Sequence, residues 1–179
     1  MIEMNKEILI AGFGGQGILF AGKFLAYEGL IENREVSWLP SYGPEMRGGT
    51  ANCSIILSDN AIGSPIVNEP DILIAMNLPS LEKYENSVKK GGMILFDSAL
   101  IDKEVNRDDV EVYPIPATKL ASDENLPGLA NMIMIGHMIK KSGIIPEENI
   151  EKAMQKVVPA AKQNLFDLNM KAIQLGASF

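Results

Sequence analysis

Residues 8–27, Ile-Leu-Ile-Ala-Gly-Phe-Gly-Gly-Gln-Gly-Ile-Leu-Phe-Ala-Gly-Lys-Phe-Leu-Ala-Tyr, restrict the fold of this chain more than any other stretch. Ile8 to Ala11 is an apolar run with no polar face, the pattern of a parallel strand covered on both sides. Gly12, Gly14 and Gly17 then give G-x-G-x-x-G, with an additional Gly15. Leu19, Phe20, Lys23, Phe24 and Tyr27 follow at helical spacing. Strand, glycine turn and helix in that order is the context in which this motif has a physical meaning. The glycines let the backbone turn tightly, and the helix start offers unpaired N–H donors and partial positive charge to an anion.

Three readings of the motif compete. The plainest is a tight strand-to-helix turn with no ligand. A nicotinamide or flavin site requires an acidic residue at the end of the second strand, about 20 residues on. Here that strand reads Glu35 to Leu39 and ends in Pro40-Ser41-Tyr42, so the only acid, Glu35, sits at its wrong end. A P-loop has the spacing of Gly17 to Gly22-Lys23, but Phe24 stands where a metal-binding hydroxyl belongs.

Composition narrows the function classes. The chain has 179 residues, a length that suits one domain, 1–179, with a sizeable core. A net charge of −7 argues against nucleic acid as a partner. One cysteine, Cys53, and one histidine, His137, build neither an iron–sulfur cluster nor a structural zinc site. Residues 8–26 are apolar enough to imitate a membrane span, but four glycines between 12 and 17, Gln16 and Lys23 favour strand, turn and helix. With no signal-peptide pattern at the N-terminus, the expectation is a cytoplasmic protein without a membrane partner.

Along the rest of the chain, strands and helices alternate. The first helix is expected to stop at Glu28-Gly29. Residues 40–49 carry two prolines and three glycines without periodicity and read as a loop. In it Arg47 lies between Met46 and Gly48-Gly49, where it either meets an anion bidentately or pairs with Glu45. Residues 50–58 read as a strand with Ala51, Cys53, Ile55 and Leu57 on one face. Further strands are expected at 71–76, 93–97 and 110–115, and helices at 79–89, 116–121, 129–141, from Pro146, and 160–175. Asp97 and Ser98, at a strand's carboxyl end, face a ligand or cap the next turn. Asn131, near a helix start, has the same two readings, and His137, in mid-helix, reads as a core or surface residue rather than a catalytic one. The predicted fold is α/β: a three-layer, Rossmann-like domain with a mostly parallel sheet and a helical C-terminus. Right-handed connection of the first two strands would place the glycine turn and the 42–50 loop side by side.

Gly12-Phe-Gly-Gly-Gln-Gly-Ile18, Ser41-Tyr-Gly-Pro-Glu-Met-Arg-Gly-Gly-Thr50, Pro116-Ala-Thr118 and Ala130-Asn-Met-Ile-Met-Ile-Gly136 resemble the gamma subunit of 2-oxoacid:ferredoxin oxidoreductases. The wording Leu39 to Cys53 is most similar to the 2-oxoglutarate branch, with pyruvate, 2-oxoisovalerate and indolepyruvate branches open. The resemblance implies a heteromeric complex with alpha, beta and delta-type subunits that passes electrons to ferredoxin. Thiamine diphosphate and the iron–sulfur clusters would lie in those partners, and this chain would hold no catalytic residue. It would assist coenzyme A, a phosphate-rich ligand suited to Gly12, Gly14, Gly15, Gln16, Gly17, Arg47 and Asn131. Ser41, Tyr42, Gly43, Pro44, Glu45, Met46, Gly48 and Gly49 would bury themselves against a partner subunit. The alternatives are a stand-alone nucleotide- or flavin-binding enzyme, and a subunit with a purely structural role.

Overall fold

The apolar run at 8–11 lies inside a strand that has a strand on either side. The computed structural model describes residues 4–43 and 49–179. Among these, β1 (Asn5–Phe13) is followed by α1 (Ile18–Ile31), β2 (Glu35–Tyr42), β3 (Thr50–Ser58), β4 (Ile72–Ala75) and α2 (Leu78–Tyr84). Then come β5 (Met93–Asp97), β6 (Glu111–Ile115), α3 (Ala117–Asp123), α4 (Ala130–Ser142), α5 (Glu147–Val157) and α6 (Gln163–Ser178). The six strands form one sheet in the order β2-β3-β1-β4-β5-β6. β1, β4, β5 and β6 are mutually parallel, while β3 runs antiparallel to both β1 and β2.

Two expectations change here. The second strand does not end at Leu39 but runs on to Tyr42, which pairs with Ala51. A chain that reverses between Tyr42 and Thr50 can only re-enter the sheet as an antiparallel neighbour, because a parallel return needs a longer crossover. The hairpin therefore inserts β3 between β1 and β2. β2 still points the same way as β1, at one remove, so both carboxyl ends emerge on one edge of the sheet. Pro40 fits inside β2 because that strand lies at the sheet edge, as does Pro114 in β6 at the other edge.

The first helix also outlasts its predicted stop. Gly29 stays helical and allows close approach to the sheet: a Cβ there would meet Leu57 Cδ2 at 2.6 Å and Val36 Cγ2 at 2.7 Å. Asn33 ends the helix instead, with φ of 57°, and the Arg34 N–H donates back to the Gly29 carbonyl at 3.0 Å. Shorter than expected, α2 covers 78–84 and passes through a 3-10 turn at 85–87. Its Leu81 is fully buried.

The sheet divides two cores. On one face Ile8, Ile10, Cys53, Ile55, Leu57, Ile74 and Leu95 pack with residues of α1, α3, α4, α5 and α6. On the other face Leu9, Leu73, Ala75, Ile94 and Phe96 meet, among the described residues, Leu81, Val88, Ile101 and a few half-buried neighbours. Strand alternation assigns each residue its side, and the three layers are thus unequal. Among the described residues no helix is long and apolar enough to cross a membrane.

Candidate functional site

The glycine turn sits at the carboxyl edge of the sheet, where open α/β sheets present ligand sites. Its shape comes from Gln16. The side-chain carbonyl of Gln16 accepts the Phe13 N–H at 2.6 Å, and its amide donates to the Met76 carbonyl at 3.0 Å. Met76 in turn donates its N–H to the Ala11 carbonyl at 2.8 Å. Gln16 thereby ties the turn to the end of β4 and spends both ends of its amide on the scaffold. Gly12 is the last residue but one of β1, opposite Ala51. Gly15 and Gly17 take φ values of 99° and 72°, in the left-handed region.

Gly17 shows why the turn excludes side chains: a Cβ there would collide with the carboxamide of Asn131. Asn131, 4% exposed in the first turn of α4, donates to the Gly17 carbonyl at 3.0 Å. Its side-chain carbonyl oxygen is buried and finds no hydrogen-bond partner among the described residues. The starts of α1 and α4 are thus joined, and neither is capped by a side chain. The two helix starts, each a source of partial positive charge, therefore lie side by side.

The hairpin loop meets the same region. The Gly14 N–H donates to the Gly49 carbonyl at 2.9 Å, and Gly43 N–H to the Thr50 carbonyl at 2.7 Å closes the hairpin. The expected juxtaposition of the two loops is therefore present at Gly14 and Gly49. Ser41 and Tyr42 end β2 exposed, Tyr42 by half of its surface. Pro44, Glu45, Met46, Arg47 and Gly48 lie outside the described residues.

Asp97 resolves in favour of capping. Fully buried, its carboxylate accepts the Thr118 N–H at 3.0 Å, the Thr118 hydroxyl at 2.5 Å and the Ala99 N–H at 3.1 Å. It fastens β5 to α3. His137 is a packing residue: 2% exposed, with Nδ1 3.2 Å from the Gly176 carbonyl and edge contacts to Tyr113 and Phe179. Burial lowers its pKa, so the ring is neutral and donates from Nδ1.

Sequence reasoning missed the cavity beside the turn. A space of about 420 Å³ lies between Gly15-Gln16, Met76 and the segment from Thr118 to Ala130. Pro127-Gly128 was readable only as a break, and nothing in the sequence brings it back over the glycine turn. Also missed was an apolar rim. Phe13, Tyr42, Leu78 and Leu100 remain 37–50% exposed. They lie at the ends of β1 and β2 or shortly after β4 and β5, on one edge.

Residues 7–179 match the family model described as pyruvate ferredoxin/flavodoxin oxidoreductase. Ketoisovalerate oxidoreductase subunit VorA of Methanothermobacter marburgensis is 37% identical over 97% of the chain, which spans only 36% of that relative's length. 2-Oxoglutarate synthase subunit KorC of Methanocaldococcus jannaschii is 40% identical over 88% of this chain and 86% of its own. Among solved structures, the keto/oxoacid ferredoxin oxidoreductase gamma subunit from Geobacter sulfurreducens superposes with a TM-score of 0.80 at 30% identity, covering 96% of this chain and 95% of that one. The 2-oxoglutarate:ferredoxin oxidoreductase from Magnetococcus marinus, solved with 2-oxoglutarate, coenzyme A and succinyl-CoA bound, shares the fold with a TM-score of 0.86 at 23% identity. This chain covers 97% of itself but 30% of that larger one. On the span of the family match and the identity to relatives of its own length, the chain belongs to the pyruvate ferredoxin/flavodoxin oxidoreductase family.

Proposed function

We propose that this chain is the gamma subunit of a CoA-dependent 2-oxoacid:ferredoxin oxidoreductase, with 2-oxoglutarate as the 2-oxoacid. The 2-oxoglutarate assignment is supported by a 2-oxoglutarate synthase subunit 40% identical over 88% of this chain and 86% of its own length, above the 26% identity of pyruvate-type relatives of similar length. Alpha, beta and delta-type partner subunits supply thiamine diphosphate and iron–sulfur clusters, and ferredoxin takes the electrons. The reading places the assembly in the cytoplasm. This chain contributes a surface: it holds coenzyme A near the partners' chemistry and packs against them through the loop from Ser41 to Gly49.

One observation carries the coenzyme A role. The Gly14–Gly49 hydrogen bond joins the glycine turn to the exit of the Arg47 loop, beside two uncapped helix starts and a ligand-sized cavity. Backbone donors at helix starts suit anions, and an arginine adds bidentate contact to phosphate. The mixed pocket falls in the size range of small-ligand sites.

The test is kinetic. The purified single chain should oxidise no 2-oxoacid and carry no bound flavin; unaided turnover or a yellow protein would end the proposal. In the assembled complex, Arg47→Ala should raise the KM for coenzyme A roughly tenfold or more, since an arginine–phosphate contact contributes about 1.5–3 kcal/mol. An unchanged KM would remove Arg47 from the role and leave a subunit that packs without touching coenzyme A.

A further inference from the structure

The opposite edge of the sheet carries a second concavity, made of different groups. A space of about 240 Å³ opens where β1, β5 and β6 begin and α4 ends. Lys6, Lys89, Lys90 and Lys141 line it, in a chain of net charge −7. The buried side chains of Ile72, Met93 and Ile144 supply its apolar wall. β1, nine residues and roughly 30 Å long, separates it from the glycine turn.

The four ammonium groups are not equivalent. Lys89 is engaged with Glu7 at 3.0 Å and Asp71 at 3.4 Å, and Asp71 also accepts the Glu7 N–H at 2.8 Å. Lys6, Lys90 and Lys141 have no ion pair among the described residues. Asp109, which feels the charge of Lys90, is itself held by Arg107 through two bonds of 2.8 Å. Lys141 lies over the Tyr113 ring at 5.5 Å, and the Tyr113 hydroxyl donates to Glu111, the other carboxylate of the lining. Three like charges around one concavity repel one another, and an apolar wall weakens the solvent screening that relieves this. An anion bridging them removes the repulsion.

The donor chemistry narrows that anion. No arginine lines the pocket, and ammonium groups are point charges on flexible stems. They suit a tetrahedral oxyanion met from several sides better than the planar, bidentate geometry of a carboxylate. Ser142 adds a hydroxyl whose own contacts, to Met138 Sδ and from the Ile144 N–H, are both long at 3.4 Å. The volume falls below that of drug-sized ligand sites. Asp71 and Glu111 hold down the net positive charge, which favours a dianion over a longer polyphosphate. We propose that this pocket at the amino edge of the sheet binds a small phosphate dianion among Lys6, Lys90 and Lys141. It shares no residue with the coenzyme A surface and stands or falls apart from it.

Amide NMR of the purified full chain, titrated with inorganic phosphate at low ionic strength, tests it. The Gly91, Gly92 and Ser142 amides should shift together and saturate with one Kd. Lys90 and Lys141 are exposed, so both tolerate replacement. Lys90→Gln and Lys141→Gln should each raise that Kd about three- to fivefold, the scale of a half-solvated charge pair. Lys152→Gln, on the exposed side of α5, should leave it unchanged. Glu111→Gln should act in the opposite direction and tighten binding about twofold, because it removes a carboxylate from the lining. Succinate, a planar dianion, should bind several-fold more weakly than phosphate. Weaker binding in Glu111→Gln as well would mean that the substitutions act by loosening the pocket, and would overturn the proposal. So would shifts confined to the Gly14–Gly17 amides, or shifts that grow without saturation at every exposed lysine. Succinate binding as tightly as phosphate would overturn the phosphate assignment.

Discussion

Glu28 is the residue whose chemistry the fold changes most. It lies on the buried side of α1 with Ala21, Phe24 and Leu25, 0% exposed, and neither carboxylate oxygen has a hydrogen-bond partner among the described residues. Burial, with Glu32 one turn away adding repulsion, raises its pKa from 4.5 to about 8. The folded protein therefore holds a proton that the unfolded chain releases. This contribution to stability is complete below about pH 4.5 and is lost as pH rises through 8. Glu28→Gln should accordingly match the parent near pH 4.5 and exceed it increasingly toward pH 9, by a few kcal/mol or roughly 5–10 °C in Tm. Thermal melts across that range check it; a pH-independent difference would mean the carboxyl finds solvent or a partner. Cys53 responds to the same physics in reverse consequence: burial pushes its thiol up to about 12, which makes it inert at neutral pH. Its burial was readable from strand parity. That of Glu28 was not, because the predicted helix end at Glu28-Gly29 made it a terminal, solvated residue. The available signal was its spacing, four residues after Phe24 and seven after Ala21.

At the scale of elements, the crossing of α4 and α6 determines how the site's back wall is held. Gly136 in α4 and Gly176 in α6 face each other's backbones, and a Cβ at either would collide with the Ile173 or the Ile133 carbonyl. The Gly176 carbonyl also meets His137. Gly136→Ala should force the helices apart and destabilise the chain by about 1–3 kcal/mol, as overpacking of a tight interior does. Because α4 carries Asn131, the same variant should loosen the Gly17 contact, measurable as faster amide exchange at the glycine turn. A stable variant with unchanged exchange would show that the crossing can relax locally. The helices themselves were visible in the 3.6-residue period of 129–141 and 160–175. Their closeness was not, since a glycine within a helix pattern reads equally as a propensity defect.

For the whole molecule, the unequal layering gives one edge of the sheet two tasks. One face is covered by five helices and the other by little more than α2, while Phe13, Tyr42, Leu78 and Leu100 project at the carboxyl edge. Aromatic side chains such as Phe13 and Tyr42 at such a rim are residue types enriched at interfaces. Tyr42→Glu should leave the Tm of the isolated chain within about 2 °C, since Tyr42 is half exposed. It should weaken assembly with the subunits of the proposed complex by about 2 kcal/mol, or thirtyfold. Co-purification of tagged chain with its partners reads this out, and undiminished recovery at limiting concentration would place the interface elsewhere.

The amino-acid sequence alone determined the layered α/β class, the order of nearly all elements and the strand–glycine–helix unit, because each follows from local periodicity and from residues with restricted or permissive backbones. Leu9 and Ile10, for example, part to opposite faces through strand alternation alone. Only the tertiary structure decided that β3 enters between β1 and β2, that Gln16 braces the turn against Met76, and that Asn131 reaches Gly17 across 114 positions of chain. These are pairings between segments distant in sequence. They are selected by which surfaces can be buried together and which polar groups must find partners once they are, and no single stretch of the chain contains that information.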